Sequence, residues 1–189
     1  MGAHEHVQEI IMNERRSFLR TSVVLASALS VPTLARAAIA GPNERVLRLY
    51  NTHTGESVKS VFWAEGQFIP DALADINKLL RDHRNDSVAN MDPQLLMLLD
   101  RVSSTLGSNS TLHVISGYRS PESNAKLAAE SGGVAKHSMH IEGKAIDIRM
   151  PGKSLATLHK AALNARGGGV GYYPESQFVH LDTGKPRSW

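Results

Sequence analysis

The chain has 189 residues, of which 41% are hydrophobic and 21% charged, and its formal net charge is +3. This composition is ordinary for a globular protein and suits one domain with an attached segment. The small positive charge is spread along the chain, so no basic stripe indicates a nucleic-acid partner. The absence of cysteine excludes disulfides, thiolate metal ligands and a cysteine nucleophile.

The N-terminal part has the features of an export signal. An arginine pair at 15–16 precedes an apolar, small-residue stretch at 21–35, and an A-x-A cleavage sequence follows. The apolar stretch is shorter than the roughly 20 residues that span a bilayer. The arginine pair followed by Ser-Phe-Leu is typical of a twin-arginine signal. We therefore expect 1–37 to be cleaved and 38–189 to form a periplasmic domain without a membrane span; an uncleaved N-terminal anchor is the alternative.

The first half of the expected domain is predicted to form a hairpin and two helices. Strands at 46–50 and 58–63 flank the turn-rich segment NTHTGES. Apolar residues at helical spacing predict a helix over 71–83. A second helix begins at Pro93 and ends near Gly107.

The second half is predicted to be richer in strands. In chain order its elements are strand 111–116, a helix from the cap Ser120 to about Ser131, strand 145–150, a helix over 154–165, a glycine turn that enters a strand at 167–173, and strand 177–182. Because helices come early and strands concentrate late, we expect an α+β fold rather than a doubly wound sheet.

Polar residues in the late strands have the types and spacing of a metal site. Catalytic zinc has three protein ligands drawn from His, Asp and Glu, and one position stays open for water. His140 and Asp147 lie seven positions apart around a bend at Gly143, and His180 lies in a strand expected beside them. Asp182 shares the face of His180, where it could orient a ligand. From spacing alone, polar decoration of a sheet edge is an equal alternative.

Longer motifs resemble a known family. ISGYRS, GVAKHSMHIEGKAID and GGVGYYPESQFVHLDTG, together with NTHTGES and the terminal Arg187-x-Trp189, follow in an order similar to that of the YcbK-like murein endopeptidases. These enzymes are a branch of the LAS metallopeptidases, which include zinc D,D-peptidases and the metal-binding domain of hedgehog proteins. The resemblance covers nearly all of 46–189. It implies an antiparallel sheet that carries a zinc site and is flanked by helices.

The same resemblance assigns roles to single residues. It implies that His140, Asp147 and His180 bind Zn²⁺, which would ease deprotonation of a bound water and polarise the scissile carbonyl. Arg119 matches an arginine that holds substrate or the developing oxyanion; pairing with a carboxylate to pin its loop is the alternative. Ser138 matches the motif serine and is expected to bind substrate or, equally, to brace the loop.

The chain departs from the family pattern where a general base is expected. Related D,D-peptidases have a Glu three residues before the last ligand or a His two residues before it, and here these positions hold Gln177 and Phe178. Neither can take up the proton. Asp182 is the first substitute, because it is predicted to share the face of the last ligand. His137 and Glu175 are the others.

Two further positions are expected to contact substrate, Tyr172 and Gln177. Either Tyr172 or its neighbour Tyr173 could donate a hydrogen bond to the oxyanion, and at least one of the two is expected to pack in the core. These predictions describe a periplasmic zinc peptidase, with residues 38–189 as its domain, that hydrolyses stem-peptide cross-links of peptidoglycan. A zinc-stabilised module that binds peptidoglycan without cutting it is the alternative. The choice between D-Ala–diaminopimelate and diaminopimelate–diaminopimelate bonds stays open, as do endo- versus carboxypeptidase action and the oligomeric state.

Overall fold

A computed structural model describes residues 43–107, 109–130, 135 and 137–189. The expected export signal lies outside these residues and stays a prediction. The elements of the described part are β1 Glu44–Asn51, β2 Ser57–Ala64, β3 Gln67–Phe68, α1 Pro70–Leu79, α2 Pro93–Leu106, β4 Leu112–Ser116, α3 Pro121–Glu130, β5 Ala145–Arg149, α4 Leu155–Ala165, β6 Gly169–Tyr173, β7 Phe178–Asp182 and β8 Arg187–Ser188. Within this part, no helix is both long and apolar enough to cross a bilayer.

The described strands form one sheet in the order β3-β2-β1-β4-β5-β7-β6-β8. The α+β prediction is confirmed, but the prediction of an antiparallel sheet is wrong, because β4 runs parallel to β1 and β8 runs parallel to β6. The helices α1 and α2 return the chain to the end of the sheet where β1 began, so β4 runs the same way as β1. A turn after β7 reverses the chain, which makes β8 antiparallel to β7 and hence parallel to β6.

The core lies between the sheet and the helices that cover one face. The α2 helix begins at Pro93, with the side chain of Asp92 accepting a hydrogen bond from the Gln94 amide, and buries a run of leucines. From the sheet, Ile146 and Ile148 on β5 join Val179 and Leu181 on β7 in this core. Because side chains alternate across a strand, the residues between them point to the opposite face. That face carries the polar residues of the late strands.

The α1 helix ends at Leu79, four residues before the predicted end. The cause is Asp82, whose side chain is 0% exposed. Its carboxylate accepts hydrogen bonds from the backbone N–H of Ser120 (2.9 Å) and of Arg84 (3.1 Å), so the chain leaves the helical path. Ser120 in turn caps α3, with its hydroxyl accepting from the Ser123 amide (3.2 Å). Asp82 therefore anchors the segment that precedes α3.

Replacing Asp82 with Asn is expected to lower the free energy of unfolding by about 2 kcal/mol at neutral pH. Burial raises the pKa of Asp82, but hydrogen bonds from Ser123, Ser120 and Arg84 outweigh it and lower the pKa from 3.8 to about 2. A depressed folded-state pKa stabilises the fold above the unfolded value, and this contribution disappears as the pH falls from about 4 through about 2. Denaturant unfolding of both proteins at neutral pH and near pH 2 measures it.

Asp86→Asn is the matched control, since Asp86 lies in the same turn but is exposed and pairs only with Arg81 (2.9 Å) among the described residues. Its expected effect is below about 0.5 kcal/mol at either pH. An Asp82→Asn difference that persisted undiminished near pH 2 would contradict the assigned role of the carboxylate.

Candidate active site

The three predicted metal ligands come together on the polar face of the sheet. Asp147 on β5 lies directly opposite His180 on the antiparallel strand β7. His140 belongs to the turn that precedes β5. One ligand atom from each of these residues lies within 4.8 Å of the others, and all three side chains are buried. The distances are 3.4 Å from His140 Nε2 to Asp147 Oδ2 and 2.8 Å from His180 Nδ1 to Asp147 Oδ1.

Each imidazole is held in place through its outer nitrogen. His140 Nδ1 lies 2.7 Å from the carbonyl oxygen of Gly117, and His180 Nε2 lies 3.0 Å from Asp182 Oδ2. The inner nitrogens, Nε2 of His140 and Nδ1 of His180, therefore both face Asp147. Such an outer hydrogen bond is the usual support of a metal-binding histidine.

The donor set fits a zinc ion. Two imidazoles and one carboxylate are a known catalytic zinc triad, and tetrahedral coordination with bonds near 2.1 Å places ligand atoms about 3.4 Å apart. The separation of His140 from Asp147 matches this value. The shorter contact of His180 with Asp147 is a direct hydrogen bond, which a metal ion would replace.

The charge of the cluster also suits a cation. Burial raises the pKa of Asp147, but the neighbouring His140 and His180 outweigh it and hold the pKa well below its ordinary value. Burial lowers the pKa of His180, whereas Asp147 and Asp182 raise it more, so that the net shift is upward. The carboxylates are therefore ionised and attract positive charge to the space between the imidazoles.

Asp182 is completely buried and its acceptor positions are occupied. The backbone N–H groups of Gly169 (3.0 Å) and Gly184 (2.9 Å) donate to Oδ1, and the guanidinium of Arg187 contacts both oxygens at 3.0 and 2.7 Å. Burial raises the pKa of Asp182, but His180 and Arg187 hold it well below its ordinary value. This geometry favours orientation of His180 over the predicted role of general base.

Arg187 reaches Asp182 through a gap that the glycines of β6 leave open. A Cβ atom at Gly169 would collide with the Arg187 guanidinium and with the carboxylate of Asp182. Sequence reasoning gave Arg187 no role, although the alternating glycines of GGGVGYY indicate that something packs closely on β6. The glycines and Arg187 together form the support of His180.

Replacing Arg187 with Gln is expected to weaken zinc affinity by about 10- to 100-fold, the usual effect of losing an outer partner of a ligand. The reason is that Asp182 loses its bidentate partner and no longer fixes the His180 ring. Competition with a chromophoric chelator measures this affinity without reference to activity. Lys185→Gln is the control, because only its backbone carbonyl contacts Arg187. Equal affinities of both variants and the wild type would rule out the support role.

Arg119 brings a buried positive charge to the same site. Its guanidinium donates to Asn124 Oδ1 (3.3 Å) and Ser116 Oγ (3.4 Å), and Nε has no partner among the described residues. Burial lowers the pKa of Arg119, while Asp147 opposes that shift. In the described part of the chain no carboxylate pins Arg119 through an ion pair, so its charge is available to a bound anion.

The three candidate ligands, Arg119 and Arg187 line a pocket of about 390 Å³. Its lining is Arg119, Ala135, His137, Ser138, Met139, His140, Asp147, Tyr173, Ser176, Phe178, His180, Arg187 and Trp189. Ser138 lines the pocket, and its hydroxyl accepts a hydrogen bond from the His140 amide (3.3 Å), which braces the turn. His137 also lines the pocket and is exposed.

Two residues predicted to contact substrate do not line the pocket. Tyr172 lies on the helix-covered face of β6, where its ring stacks on His159 with 4.7 Å between centroids. Its neighbour Tyr173 lines the pocket instead, since consecutive strand residues face opposite sides. Gln177 lies in the turn between β6 and β7 with φ 57°, and its side-chain amide donates to the carbonyl of Pro174. Glu175 is exposed and does not line the pocket either.

Comparison with known proteins gives a match over almost the whole expected domain. The model of a family described as peptidoglycan L,D-endopeptidase MepK matches residues 39–189, a range that contains every residue of the pocket. Peptidoglycan L,D-endopeptidase MepK of Escherichia coli K12 is 44% identical over 175 residues, which are 93% of this chain and 96% of that protein. A probable peptidoglycan L,D-endopeptidase MepK of Haemophilus influenzae is 39% identical over 176 residues, 93% and 95% of the two chains.

Proposed function

Because this chain belongs to the peptidoglycan L,D-endopeptidase MepK family and is therefore a peptidoglycan endopeptidase, we propose that it cleaves L,D-peptide bonds with the help of a zinc ion. The predicted membership of the murein endopeptidases is confirmed. The single observation that carries the proposal is the convergence of His140 Nε2, an Asp147 oxygen and His180 Nδ1 in the wall of the pocket.

His140, Asp147 and His180 would hold the zinc ion. Zinc bound there supplies a Lewis acid for the scissile carbonyl and lowers the pKa of water. The protein residues do the rest. Asp182 keeps the His180 ring in one orientation, and Arg119 offers a positive charge to the carbonyl oxygen as negative charge develops on it.

The reaction also needs a general base that takes up a proton. At the positions where the family pattern has this base, the chain has Gln177 and Phe178. Asp182 has its acceptor positions filled, and Glu175 lies outside the pocket. Of the three substitutes for the absent base, only His137 lines the pocket, and no hydrogen bond from its side chain to another described residue is seen. We infer that His137 receives the proton and passes it to the leaving amine, because an imidazole ring can accept a proton at one step and donate it at the next.

The name of the relatives supports one of the two cross-links considered above. An L,D-bond joins the carbonyl of an L-centre to the amine of a D-centre. The diaminopimelate–diaminopimelate link has this stereochemistry, whereas the D-Ala–diaminopimelate link joins two D-centres. We infer that the former is the substrate bond. Since peptidoglycan lies in the periplasm, we also infer that the enzyme acts there after export.

Two defined muropeptide dimers test the function, one with each cross-link. Incubation with the zinc-loaded protein is expected to release monomers from the diaminopimelate–diaminopimelate dimer and to leave the other dimer intact, as followed by chromatography. The metal-stripped protein serves as the control and should release nothing from either dimer. Cleavage of only the D-Ala–diaminopimelate dimer would refute the assigned bond, and binding of both dimers without any product would favour a non-hydrolytic module.

A further inference from the structure

Trp189 is an exposed aromatic residue at the edge of the pocket. Three large hydrophobic side chains are exposed in the described part of the chain, namely Val88 (55%), Leu163 (40%) and Trp189 (49%). Of these, only Trp189 lines the pocket, with its ring centroid 5.3 Å from that of the metal ligand His180. Because Trp189 lines a concave pocket, its exposed ring offers an apolar contact to a bound group.

The indole of Trp189 is fixed although it is exposed. Its Nε1 donates to the hydroxyl of Tyr173 (2.7 Å), and the Arg187 guanidinium lies 4.8 Å from the ring centroid. The backbone is held as well, since the Trp189 N–H donates to Val170 O (3.2 Å) and the Tyr172 N–H donates to Trp189 O (2.9 Å). Because these contacts already hold Trp189 in place, its side chain loses little further conformational entropy when a ligand binds.

The sequence of β6 makes room for this ring. A Cβ atom at Gly171 would lie 2.8 Å from Cε2 of Trp189, which is closer than real side chains approach. Gly171 also lies directly opposite His180 on β7, so the missing side chain lets the indole approach that ligand. Gly171 therefore provides the space, and Trp189 the aromatic surface, on this side of the pocket.

The two ends of the pocket differ in chemistry. Trp189 follows β8 at one edge of the sheet, and Arg119 follows β4, with the strands of Asp147 and His180 between them. A group bound across the metal ligands thus meets an aromatic surface on one side and a buried positive charge on the other. The aromatic side fits an aliphatic chain that leads away from the scissile bond, such as the methylene chain of a diaminopimelate residue, while Arg119 faces the scissile carbonyl.

We propose that Trp189 is a specificity-determining residue that packs against the methylene chain of the diaminopimelate residue beside the scissile bond. The proposal rests on the proposed function, because it takes the diaminopimelate–diaminopimelate link as the substrate. Trp189 contributes to binding of the substrate in the ground state and the transition state alike, so its loss acts on KM more than on kcat.

A cycle of enzyme and substrate changes tests the contact. Trp189→Ala is expected to raise KM on the order of tenfold, while kcat changes by less than about threefold. A substrate dimer in which diaminoglutarate replaces diaminopimelate lacks two methylene groups and should cost the wild type a similar factor in kcat/KM. The two changes together should cost little more than either one alone. Fully additive losses, or an unchanged KM, would overturn the contact.

Binding can also be observed without turnover. The chain has two tryptophans, and the second, Trp63, lies on β2 near the other end of the sheet. In a His140→Ala, Trp63→Phe protein, the diaminopimelate dimer is expected to change the emission of Trp189. In the matched His140→Ala, Trp189→Phe protein, the emission of Trp63 should not change. No response from Trp189 at saturating dimer would overturn the proposal.

The two proposals fail in different ways. If the wild type cleaves the dimer but Trp189 responds in neither experiment, the specificity role is wrong and the proposed function stands. If the wild type cleaves neither dimer, the proposed function is wrong, and the emission experiment still decides whether Trp189 contacts the ligand. Should Trp189→Ala fail to fold, Trp189→Phe keeps an aromatic ring without the Nε1 donor and is expected to show a smaller rise in KM.

Discussion

Replacing His140 with Ala is expected to abolish endopeptidase activity, with a loss in kcat/KM well above the roughly 100-fold that follows removal of an outer partner. The substitution leaves Asp147 and His180 as the only two protein donors of the triad, whereas zinc at catalytic sites has three. Zinc content of the purified variant and release of monomers from the diaminopimelate–diaminopimelate dimer measure the two consequences separately. Both are expected to fall together.

His159→Gln is the matched control for that experiment. His159 is also a histidine in contact with another ring, but it stacks on Tyr172 at the helix-covered face of the sheet. Its replacement should leave zinc content and the rate of cleavage unchanged. Treating the wild type with a chelator should reproduce the loss seen in His140→Ala, and added zinc should reverse it only in the wild type. Full activity of metal-free His140→Ala would refute the metal-dependent mechanism.

Replacing Arg119 with Ala is expected to lower kcat by about 10²- to 10³-fold, the usual effect of removing one group that stabilises an oxyanion. The guanidinium is buried, lines the pocket and forms no ion pair with a carboxylate of the described residues, so its charge can stabilise a developing negative charge. Steady-state kinetics on the dimer separate this effect from one on binding, because a transition-state contact lowers kcat and kcat/KM alike.

Arg119→Lys distinguishes charge from shape at the same position. Lysine keeps the positive charge but lacks the planar group that donates to both Ser116 and Asn124. It is therefore expected to restore only part of the lost rate. Arg101→Gln, at an exposed position on α2, should have no effect. A large rise in KM with unchanged kcat in Arg119→Ala would show that Arg119 binds the ground state instead.

Local sequence patterns were sufficient for most elements and for the grouping of the candidate metal ligands. Alternation in AIDIR and FVHLD separates core isoleucine, valine and leucine from Asp147 and His180, because successive side chains of a strand face opposite sides. The helix beginnings at Pro93 and Pro121 were also predictable, since each helix starts with a cap residue that is followed directly by a proline. These features depend on neighbours in the chain.

The same alternation corrects one substrate contact. Tyr172 and Tyr173 are adjacent in β6, so only one of them can face the pocket, and periodicity alone does not say which. The pairing of β6 with β7 sets the register, with Tyr172 opposite the core residue Val179. That register places Tyr173 on the pocket side.

The sequence by itself determined the class of the fold, the family and the three candidate ligands, because strand periodicity and motif order are properties of short segments. Only the tertiary structure decided the mixed sheet, the early end of α1 and the pairing of Arg187 with Asp182. Each of these depends on partners that are distant in sequence or on the direction in which a connection returns the chain. The hydrogen-bond donors of a buried carboxylate are the groups that the completed fold places beside it. Local sequence patterns therefore do not predict which donors these are.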